Sequence, residues 1–316
     1  MQFGGPDSRF RAGAALTFCR FEIPGLRCQP AGRLDSQHCH VRLFWQEKSW
    51  GVSIVSMLNS AAQFSLGLVD ADFQVDSTLS IGPEEVQLWR IDLQAAASDQ
   101  SRWNRLLSTD EAQRAARFRL DLHRCYFAAT RAILRKILAG YLNADPADLT
   151  FVYSQKQKPA LGGTHAENGL SFNVSHSGDA ALIACGLNCK IGVDIEYAGR
   201  ETDTGAIAAR FFSAAEQEQL ADLPLSERRD AFFRCWTRKE AYIKATGDGL
   251  SLPLRRFDVS LAPASENALI ATRPDSREAS RWTLRDIRVR PDYAAALCVS
   301  GSSWKLIDRC GQETHG

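Results

Sequence analysis

The sequence predicts an α+β fold, a pseudo-dimer of two similar α+β halves with the active site in the cleft between them. This prediction rests on a repeated order of segments: a strand, a capped helix, a long helix and further strands occur twice along the chain. A polar turn at 186–189 separates the two series. We therefore expect one half to span residues 86–187 and the other to span residues 188–310.

The first series begins at 85–93, where apolar residues occupy both alternating sets of positions, as in a strand covered on both sides. Ser108 and Glu111 follow at the three-residue spacing of a capping box, which marks the start of a helix. A long helix is predicted at 121–142, because its apolar residues recur at helical spacing. Further strands are expected at 149–152 and 180–185.

The second series begins with a strand at 190–196. Ser213 and Glu216 repeat the capping-box spacing. A long helix is predicted at about 229–246, and Gly247 supplies its end. Further strands are expected near 257–260, 282–289 and 294–299.

The bulk composition excludes several classes of protein. The chain has 316 residues with a formal net charge of +1, so no overall field attracts a nucleic acid or a membrane surface. No stretch approaches the roughly 18 consecutive apolar residues of a membrane span. Nine scattered cysteines favour a reducing compartment over a disulfide scaffold. We expect a cytoplasmic monomer with neither a nucleic-acid nor a membrane partner.

Residues 1–85 differ from the rest, because they show no sustained period of 3.6 or 2 residues. Three interpretations of this extension stay open: a disordered segment, a poorly packed extension, or translation from upstream of the usual start. The cluster His38, Cys39 and His40 has metal-binding side chains, but no second ligand pair follows at zinc spacing. An incidental surface cluster is therefore favoured over a metal site.

Carboxylates with the spacing of a metal site occur in the second half. Asp194 and Glu196 lie on one face of the predicted strand, with Cα atoms roughly 7 Å apart. Glu240 lies on the apolar stripe of the long helix, where an unpaired carboxylate would be costly, and Lys244 follows one turn later. Such oxygen ligands suit a hard divalent cation such as Mg²⁺. A solvent-facing acidic strand and a surface Glu–Lys pair are the alternatives.

The run at 171–178 is an apolar alternation that opens onto a predicted polar turn, Ser-His-Ser-Gly. Hydroxyls, backbone N–H groups and an imidazole in such a turn can bind a phosphate. A serine hydrolase would need Ser175 and His176 to face each other, whereas neighbouring strand residues point to opposite sides. Phosphate binding is therefore the functional interpretation of this segment.

Taken together, these segments resemble the Sfp-type 4′-phosphopantetheinyl transferases. The resemblance covers residues 86–300, and the motifs occur in the order and spacing of that family. They are KP at 158–159, FNVSHSG at 172–178, IGVDIE at 191–196, RFF at 210–212, WTRKEAYIK at 236–244 and GDGLSLP at 247–253. Residues 1–85 lie outside the family pattern.

The resemblance implies an enzyme that transfers the 4′-phosphopantetheine group of coenzyme A to a serine of an apo-acyl or peptidyl carrier protein. Adenosine 3′,5′-bisphosphate would be released. The resemblance implies that Asp194, Glu196 and Glu240 hold Mg²⁺. Lys244 would contact the pyrophosphate of coenzyme A, and Glu240 would take the serine proton directly or through a water. Whether the carrier serves fatty-acid, polyketide or nonribosomal-peptide synthesis stays open.

The resemblance also implies contacts between the first half and the phosphates of coenzyme A. Ser175 and His176 would meet the 3′-phosphoadenosine end, and Lys158 would approach a phosphate. Arg114 looks like a basic residue that binds phosphate in the family, in a stretch that aligns loosely.

Two rival interpretations fit parts of the pattern. Magnesium-dependent nucleases of the restriction-endonuclease type also combine D-x-E with E-x-x-x-K, but their acid and lysine share a strand, whereas Glu240 and Lys244 lie on a predicted helix. The chain also lacks a basic face for a phosphate backbone. An inactive homologue that only docks carrier proteins is the second rival, and the presence of every expected ligand disfavours it.

Overall fold

The computed structural model describes residues 79–97 and 100–310. Residues 1–78, which include most of the predicted extension and the cluster at 38–40, lie outside the described residues. In the described part of the chain, no helix has both the length and the apolar character needed to cross a membrane.

A four-stranded sheet forms the centre of the first half, in the order β11-β1-β5-β4. Its strands are β1 (Glu85–Asp92), β4 (Leu170–Ser177), β5 (Ala180–Leu187) and β11 (Lys305–Asp308). β1, β5 and β4 are antiparallel neighbours, whereas β11 is parallel to β1. The interior residues of β1 are all buried, which confirms a strand covered on both sides.

The helices of the first half pack on one face of this sheet. They are α1 (Leu93–Ala96), α2 (Gln100–Asn104), α3 (Thr109–Ala115) and α4 (Asp121–Leu142). Ile133 and Ile137 of α4 share a core cluster with Phe172 and Val174 of β4. A separate ribbon pairs β2 (Phe151–Tyr153) with β3 (Pro159–Leu161).

The second half contains a three-stranded antiparallel sheet in the order β6-β10-β9. Its strands are β6 (Ile191–Tyr197), β9 (Trp282–Asp286) and β10 (Tyr293–Ser300). Its helices are α5 (Thr204–Phe211), α6 (Ala214–Asp222) and α7 (Leu225–Thr246), and its ribbon pairs β7 (Phe257–Val259) with β8 (Leu269–Thr272).

The two halves repeat one topology. In each, the first strand pairs with the last and the last pairs with the one before it, as β1-β5-β4 and β6-β10-β9. Each half also has a two-stranded ribbon and one helix of 22 residues, α4 or α7. The predicted α+β fold with two similar halves is therefore confirmed. β11 departs from the repeat, since it follows the second half in sequence but extends the sheet of the first.

Both predicted capping boxes are present, and each places a buried glutamate beneath the long helix of its half. Glu111 accepts hydrogen bonds from Arg131 Nε and Arg135 Nε, both at 2.7 Å. Glu216 Oε1 lies 2.8 Å from Lys239 Nζ. Arg135 and Lys239 occur at the same point of α4 and α7, 14 residues after the first residue of each. The repeat therefore extends to buried ion pairs.

We expect Glu216→Ala to lower the free energy of unfolding by about 3–5 kcal/mol, because it leaves the buried Lys239 ammonium without its anionic partner. Urea unfolding would measure the loss. Glu218, an exposed residue of the same helix, provides the matched control, and Glu218→Ala should cost less than about 0.5 kcal/mol. Equal losses in the two variants would rule out a structural role for the pair.

Several elements differ from the sequence prediction. The segment predicted as a polar turn is the end of β4, which continues to Ser177 because Ser175 and Ser177 pair with β5; the turn begins at Gly178, which has φ of 56°. α7 begins at Leu225, one turn before the predicted start, behind Pro224 at the N-cap. The helix α5 and the short strands β3, β8 and β11 have no clear signal in the sequence.

Candidate active site

β4 and β6 are edge strands of the two sheets, and side chains of β4 join them. The backbone N–H groups of Val193, Ile195 and Tyr197 donate to side chains of β4 across this seam. The acceptors are Asn173 Oδ1 at 2.8 Å, Ser175 Oγ at 3.4 Å and Ser177 Oγ at 3.0 Å, respectively. This pattern fixes the register between the halves at an offset of 20 residues.

Asp194 lies at the centre of the seam and is buried. Its Oδ1 accepts hydrogen bonds from Ser175 Oγ at 2.9 Å and from Lys244 Nζ at 2.6 Å. Its Oδ2 is buried and has no hydrogen-bond partner among the described residues. Burial raises the pKa of this carboxyl group, and the nearby Lys244 ammonium opposes the increase.

Glu196 is held in a similar way one pleat further along β6. Its Oε2 accepts hydrogen bonds from Ser177 Oγ at 2.8 Å and from Arg200 Nη2 at 3.0 Å. Burial raises the pKa of Glu196, and the negative charge of Asp194 raises it further. The predicted placement of the two carboxylates on one face of β6 agrees with the structure, since Ile191, Val193 and Ile195 pack in the core between the sheets.

α7 brings Glu240 and Lys244 onto this face of β6. Gly192 allows the close approach, because a Cβ there would collide with the backbone oxygen of Ala241 and the backbone nitrogen of Ala245. Burial, together with the negative charges of Asp194 and Glu196, raises the pKa of Glu240 to about 8, and the Lys244 ammonium opposes the increase. Glu240 Oε1 is buried without a hydrogen-bond partner among the described residues.

These carboxylates fit an open Mg²⁺ site. Among the described residues, no group of three His, Cys, Asp or Glu side chains is gathered tightly enough to hold a metal ion by itself. Asp194 Oδ2 and Glu240 Oε1 are nevertheless buried oxygens that lack a donor, a costly state that a cation would relieve. Mg²⁺ usually keeps several waters and is bound by one or two carboxylates together with substrate phosphates, so a closed cage is not required.

A cavity of about 580 Å³ opens beside the seam and has walls from both halves. Tyr153, Lys158 and Phe172 line it from the first half, and Ile191 and Gly247 line it from the second. Of the residues predicted to bind coenzyme A or the metal, only Lys158 lines this cavity, and the carboxylates of the seam lie outside it.

The family model described as the 4′-phosphopantetheinyl transferase superfamily matches residues 190–298, and the model of the N-terminal region of 4′-phosphopantetheinyl transferases matches residues 94–188. The chain belongs to the 4′-phosphopantetheinyl transferase superfamily. It is therefore a transferase, and 4′-phosphopantetheine is the group that it transfers.

Two relatives illustrate the similarity of the transferase to known members. It is 41% identical to 4′-phosphopantetheinyl transferase HetI of Nostoc sp. over 72% of this chain and 92% of that protein. It is 29% identical to 4′-phosphopantetheinyl transferase Sfp of Bacillus subtilis over 66% of this chain and 89% of that protein. The similarity therefore covers nearly the whole length of both relatives.

The ammonium group of Lys158 in the transferase makes two hydrogen bonds within the protein. Its Nζ donates to the backbone oxygens of Ile191 at 3.0 Å and Lys244 at 2.6 Å, and burial lowers its pKa to about 8. The ammonium therefore ties the β2–β3 ribbon to the start of β6 and the end of α7. Because an ammonium group has three N–H donors, the third donor of Lys158 is left for a phosphate contact.

His176 and Arg114 of the transferase lie in the first half, away from the β6 face of the seam. His176 is half-buried on the α4 side of β4, opposite Ser175, so the two residues do not form a nucleophile–base pair. Burial lowers the pKa of His176 to about 4, and Lys244 contributes. The guanidinium of Arg114 lies 5.7 Å from the ring centroid of Phe127, and burial lowers its pKa.

Sequence reasoning missed four residues that shape this site: Asn173, Ser177, Gly192 and Arg200. For Asn173 and Ser177 a signal existed, because Asn173, Ser175 and Ser177 alternate along one face of β4 with the same period as Asp194 and Glu196 along β6. Gly192 lies inside the strand that carries Asp194 and Glu196, and a glycine in a strand interior is a sign of close backbone approach. No sequence pattern distinguishes Arg200 from other surface arginines.

Proposed function

We propose that the transferase takes its 4′-phosphopantetheine group from coenzyme A and attaches it to a serine of an apo-carrier protein in a Mg²⁺-dependent reaction. The observation that carries this proposal is that Asp194 and Glu240 each have a buried carboxylate oxygen with no hydrogen-bond partner among residues 79–97 and 100–310. Both residues lie beside Lys244 where the halves meet. Cationic and anionic groups so arranged suit a metal-bound pyrophosphate. The names of the relatives support the group that is transferred.

The metal ligands in this proposal are Asp194, Glu196 and Glu240. Bound Mg²⁺ would supply charge neutralisation and alignment for the phosphate oxygens of the donor. Lys244 would turn from Asp194 toward the pyrophosphate and offset the charge that develops on the departing bisphosphate.

The chemical step exchanges the phosphoanhydride bond of the donor for a phosphate ester bond to the carrier. The serine oxygen of the carrier forms a bond to the phosphorus that bears pantetheine, the bond between that phosphorus and the pyrophosphate bridge oxygen breaks, and adenosine 3′,5′-bisphosphate leaves. Glu240 accepts the serine proton, directly or through a water. Its pKa near 8 in the metal-free site marks it as a carboxylate able to hold a proton near neutral pH.

The nucleotide end of coenzyme A would lie in the cavity between the halves. His176, on the α4 side of β4, would contact the 3′-phosphoadenosine, whereas Ser175 would stay at the seam with its buried hydroxyl directed to Asp194. Lys158 and Arg114 would approach the phosphates. Lys158 supports this placement, because it lines the cavity. A cavity of about 580 Å³ falls in the size range of small-molecule sites.

Incubation with coenzyme A, Mg²⁺ and a panel of apo-carrier proteins, followed by intact mass spectrometry, tests the function. We expect one carrier or more to gain the mass of a single phosphopantetheine group, and we expect EDTA to prevent the gain. The panel should include fatty-acid, polyketide and nonribosomal-peptide carriers. A carrier whose acceptor serine is replaced by alanine is the control, and failure to modify any wild-type carrier would contradict the proposal.

We expect His176→Ala to raise KM for coenzyme A about 10- to 150-fold, the equivalent of about 1.5–3 kcal/mol for a hydrogen bond to a charged group, with kcat changed much less. The proposed contact is with the 3′-phosphate, which is remote from the transferred group. The same variant assayed with dephospho-coenzyme A, which lacks that phosphate, should show a much smaller penalty. An equal penalty with both donors would assign His176 a packing role instead.

We also propose that residues 86–187 and 188–310 are the two halves, that residues 1–78 are dispensable, and that the protein acts as a cytoplasmic monomer without nucleic-acid or membrane partners. The net charge of +1 supports the last point. Leu79 and Ile81 pack against the core of the first half, so the contacts of the described fold begin there.

Deletion of residues 1–78 is therefore expected to leave a folded, active transferase. Deletion of residues 1–84 is the matched comparison, because it also removes Leu79, Ile81 and the backbone oxygen of Ser80 that accepts from Gln87 Nε2 at 2.8 Å. The longer deletion should lower the melting temperature. Loss of carrier modification in the shorter deletion, with the fold intact, would show that residues 1–78 contact the partner.

A further inference from the structure

Each of the two carboxylates of β6 accepts hydrogen bonds from one serine and one cationic side chain. Asp194 offers Oδ1 to a serine and a cation, Ser175 and Lys244. Glu196 offers Oε2 to a serine and a cation, Ser177 and Arg200. In each carboxylate, one oxygen receives both donors and the other receives neither of them. For Asp194 the second oxygen is the buried, unpartnered Oδ2.

The direction of the Ser177 hydroxyl is set by the backbone. The N–H of Tyr197 donates to Ser177 Oγ at 3.0 Å and so uses one of its lone pairs. The single hydroxyl proton is then directed to Glu196 Oε2 at 2.8 Å. Ser177 is 7% exposed, so bulk water has little access to compete for that proton.

The loop that carries Arg200 is held in place by α7. It lies in the loop after β6, whose backbone oxygens at Ala198 and Arg200 both accept hydrogen bonds from the Arg229 guanidinium of α7. Arg229 Nε lies 3.0 Å from Ala198 O. The guanidinium that reaches Glu196 therefore projects from a loop that is fastened to the same helix that carries Glu240.

We propose that Ser177 and Arg200 are positioning residues that hold Glu196 by Oε2 and leave Oε1 as the oxygen offered to the metal ion. This inference rests on the proposed role of Glu196 as a Mg²⁺ ligand. A carboxylate held by one oxygen cannot rotate freely about its terminal bond, so its second oxygen meets the cation with less loss of conformational freedom. Partners of this kind change metal affinity by about 10- to 100-fold in other proteins.

Direct titration of the full chain with Mn²⁺, followed by electron paramagnetic resonance with coenzyme A present and no carrier, tests the inference without relying on turnover. We expect Ser177→Ala to raise the Kd for Mn²⁺ about 10-fold. Ser177→Thr, which keeps the hydroxyl, should restore affinity to near the wild-type value. Arg200→Met should also weaken binding, and Arg200→Lys should restore part of it.

Asn173→Ala is the matched control, because Asn173 accepts a seam hydrogen bond from Val193 N–H and makes no hydrogen bond to a carboxylate in the described structure. It should lower the melting temperature and leave the Kd for Mn²⁺ unchanged. If Ser177→Ala and Arg200→Met both bind Mn²⁺ like the wild type, the inference is overturned, and Ser177 acts only at the seam.

Glu196→Ala separates this inference from the proposed function. Weaker Mn²⁺ binding in Glu196→Ala, with unchanged binding in Ser177→Ala and Arg200→Met, would overturn the positioning role alone. Unchanged binding in Glu196→Ala would remove Glu196 from the metal ligands and overturn the inference with it. Should Ser177→Ala fail to fold, the two Arg200 variants decide, since Arg200 has a half-exposed side chain.

Discussion

Replacement of Asp194 by alanine is expected to abolish phosphopantetheine transfer, with a loss of at least about 1,000-fold in kcat/KM. The substitution removes an oxygen that a cation needs, and it takes from Lys244 the carboxylate that it contacts at 2.6 Å. Glu240→Ala should give a loss of similar size, since it removes both a metal oxygen and the proton acceptor. Glu196→Ala should be milder, because water often fills one Mg²⁺ position.

Carrier modification under initial-rate conditions measures these losses, and circular dichroism with thermal melting establishes that the variants fold. Asp248 is a suitable control, because it is exposed just beyond the end of α7 and has no part in the site. Asp248→Ala should keep kcat/KM within about twofold of the wild type. A folded Asp194→Ala enzyme with near-normal activity would refute the metal assignment.

Metal affinity is expected to depend on pH because of Glu240. The metal-free pKa of this carboxyl group is about 8, so at pH 6 it carries a proton that the cation must displace. We expect the Kd for Mg²⁺ to fall about tenfold for each pH unit from pH 6 toward pH 8 and then to level off. Glu240→Gln should bind the ion more weakly, and its Kd should no longer depend on pH in this range. If the pH dependence persists in Glu240→Gln, the proton belongs to another group.

The same group links stability to pH in the absence of metal. Glu240 ionises near its ordinary value of 4.5 when unfolded and near 8 when folded, so between these values the folded chain holds a proton that the unfolded chain has released. The contribution of Glu240 to the stability of the metal-free protein should therefore fall as the pH rises from about 5 to 8, and above about pH 6.5 the lowered pKa of His176 no longer offsets it. Added Mg²⁺ should reverse the loss at pH 8, and thermal melting across this range with and without Mg²⁺ would reveal both effects.

The parts of the fold that could be predicted are those set by local periodicity. α4 spans the predicted 121–142, because its apolar residues recur along one face over many turns. The shared face of Asp194 and Glu196 follows from the alternation of a single strand. Both capping boxes were readable from a serine and a glutamate three residues apart.

The parts that could not be predicted depend on how distant segments meet. The hydrogen bond from Ser177 to Glu196 exists only because β4 and β6 adopt one register across the seam, and no local pattern encodes that register. Lys158 illustrates the same limit, since the carbonyls that bind its ammonium come from β6 and α7. The motif that contains Lys158 predicts a positive charge in the cleft. It does not predict which groups bind the ammonium when no phosphate is present.

The parallel pairing of β11 with β1 bears on how this chain can fold as it is synthesised. Lys305 pairs with Glu85, so during synthesis β1 waits for a segment 220 residues further along the chain before one of its edges is covered. During that interval β1 presents unpaired N–H and C=O groups, a template for pairing with other nascent chains. If synthesis stops before residue 305, the released chain contains β1 to β10 but leaves one edge of β1 exposed. Aggregation would begin from this species.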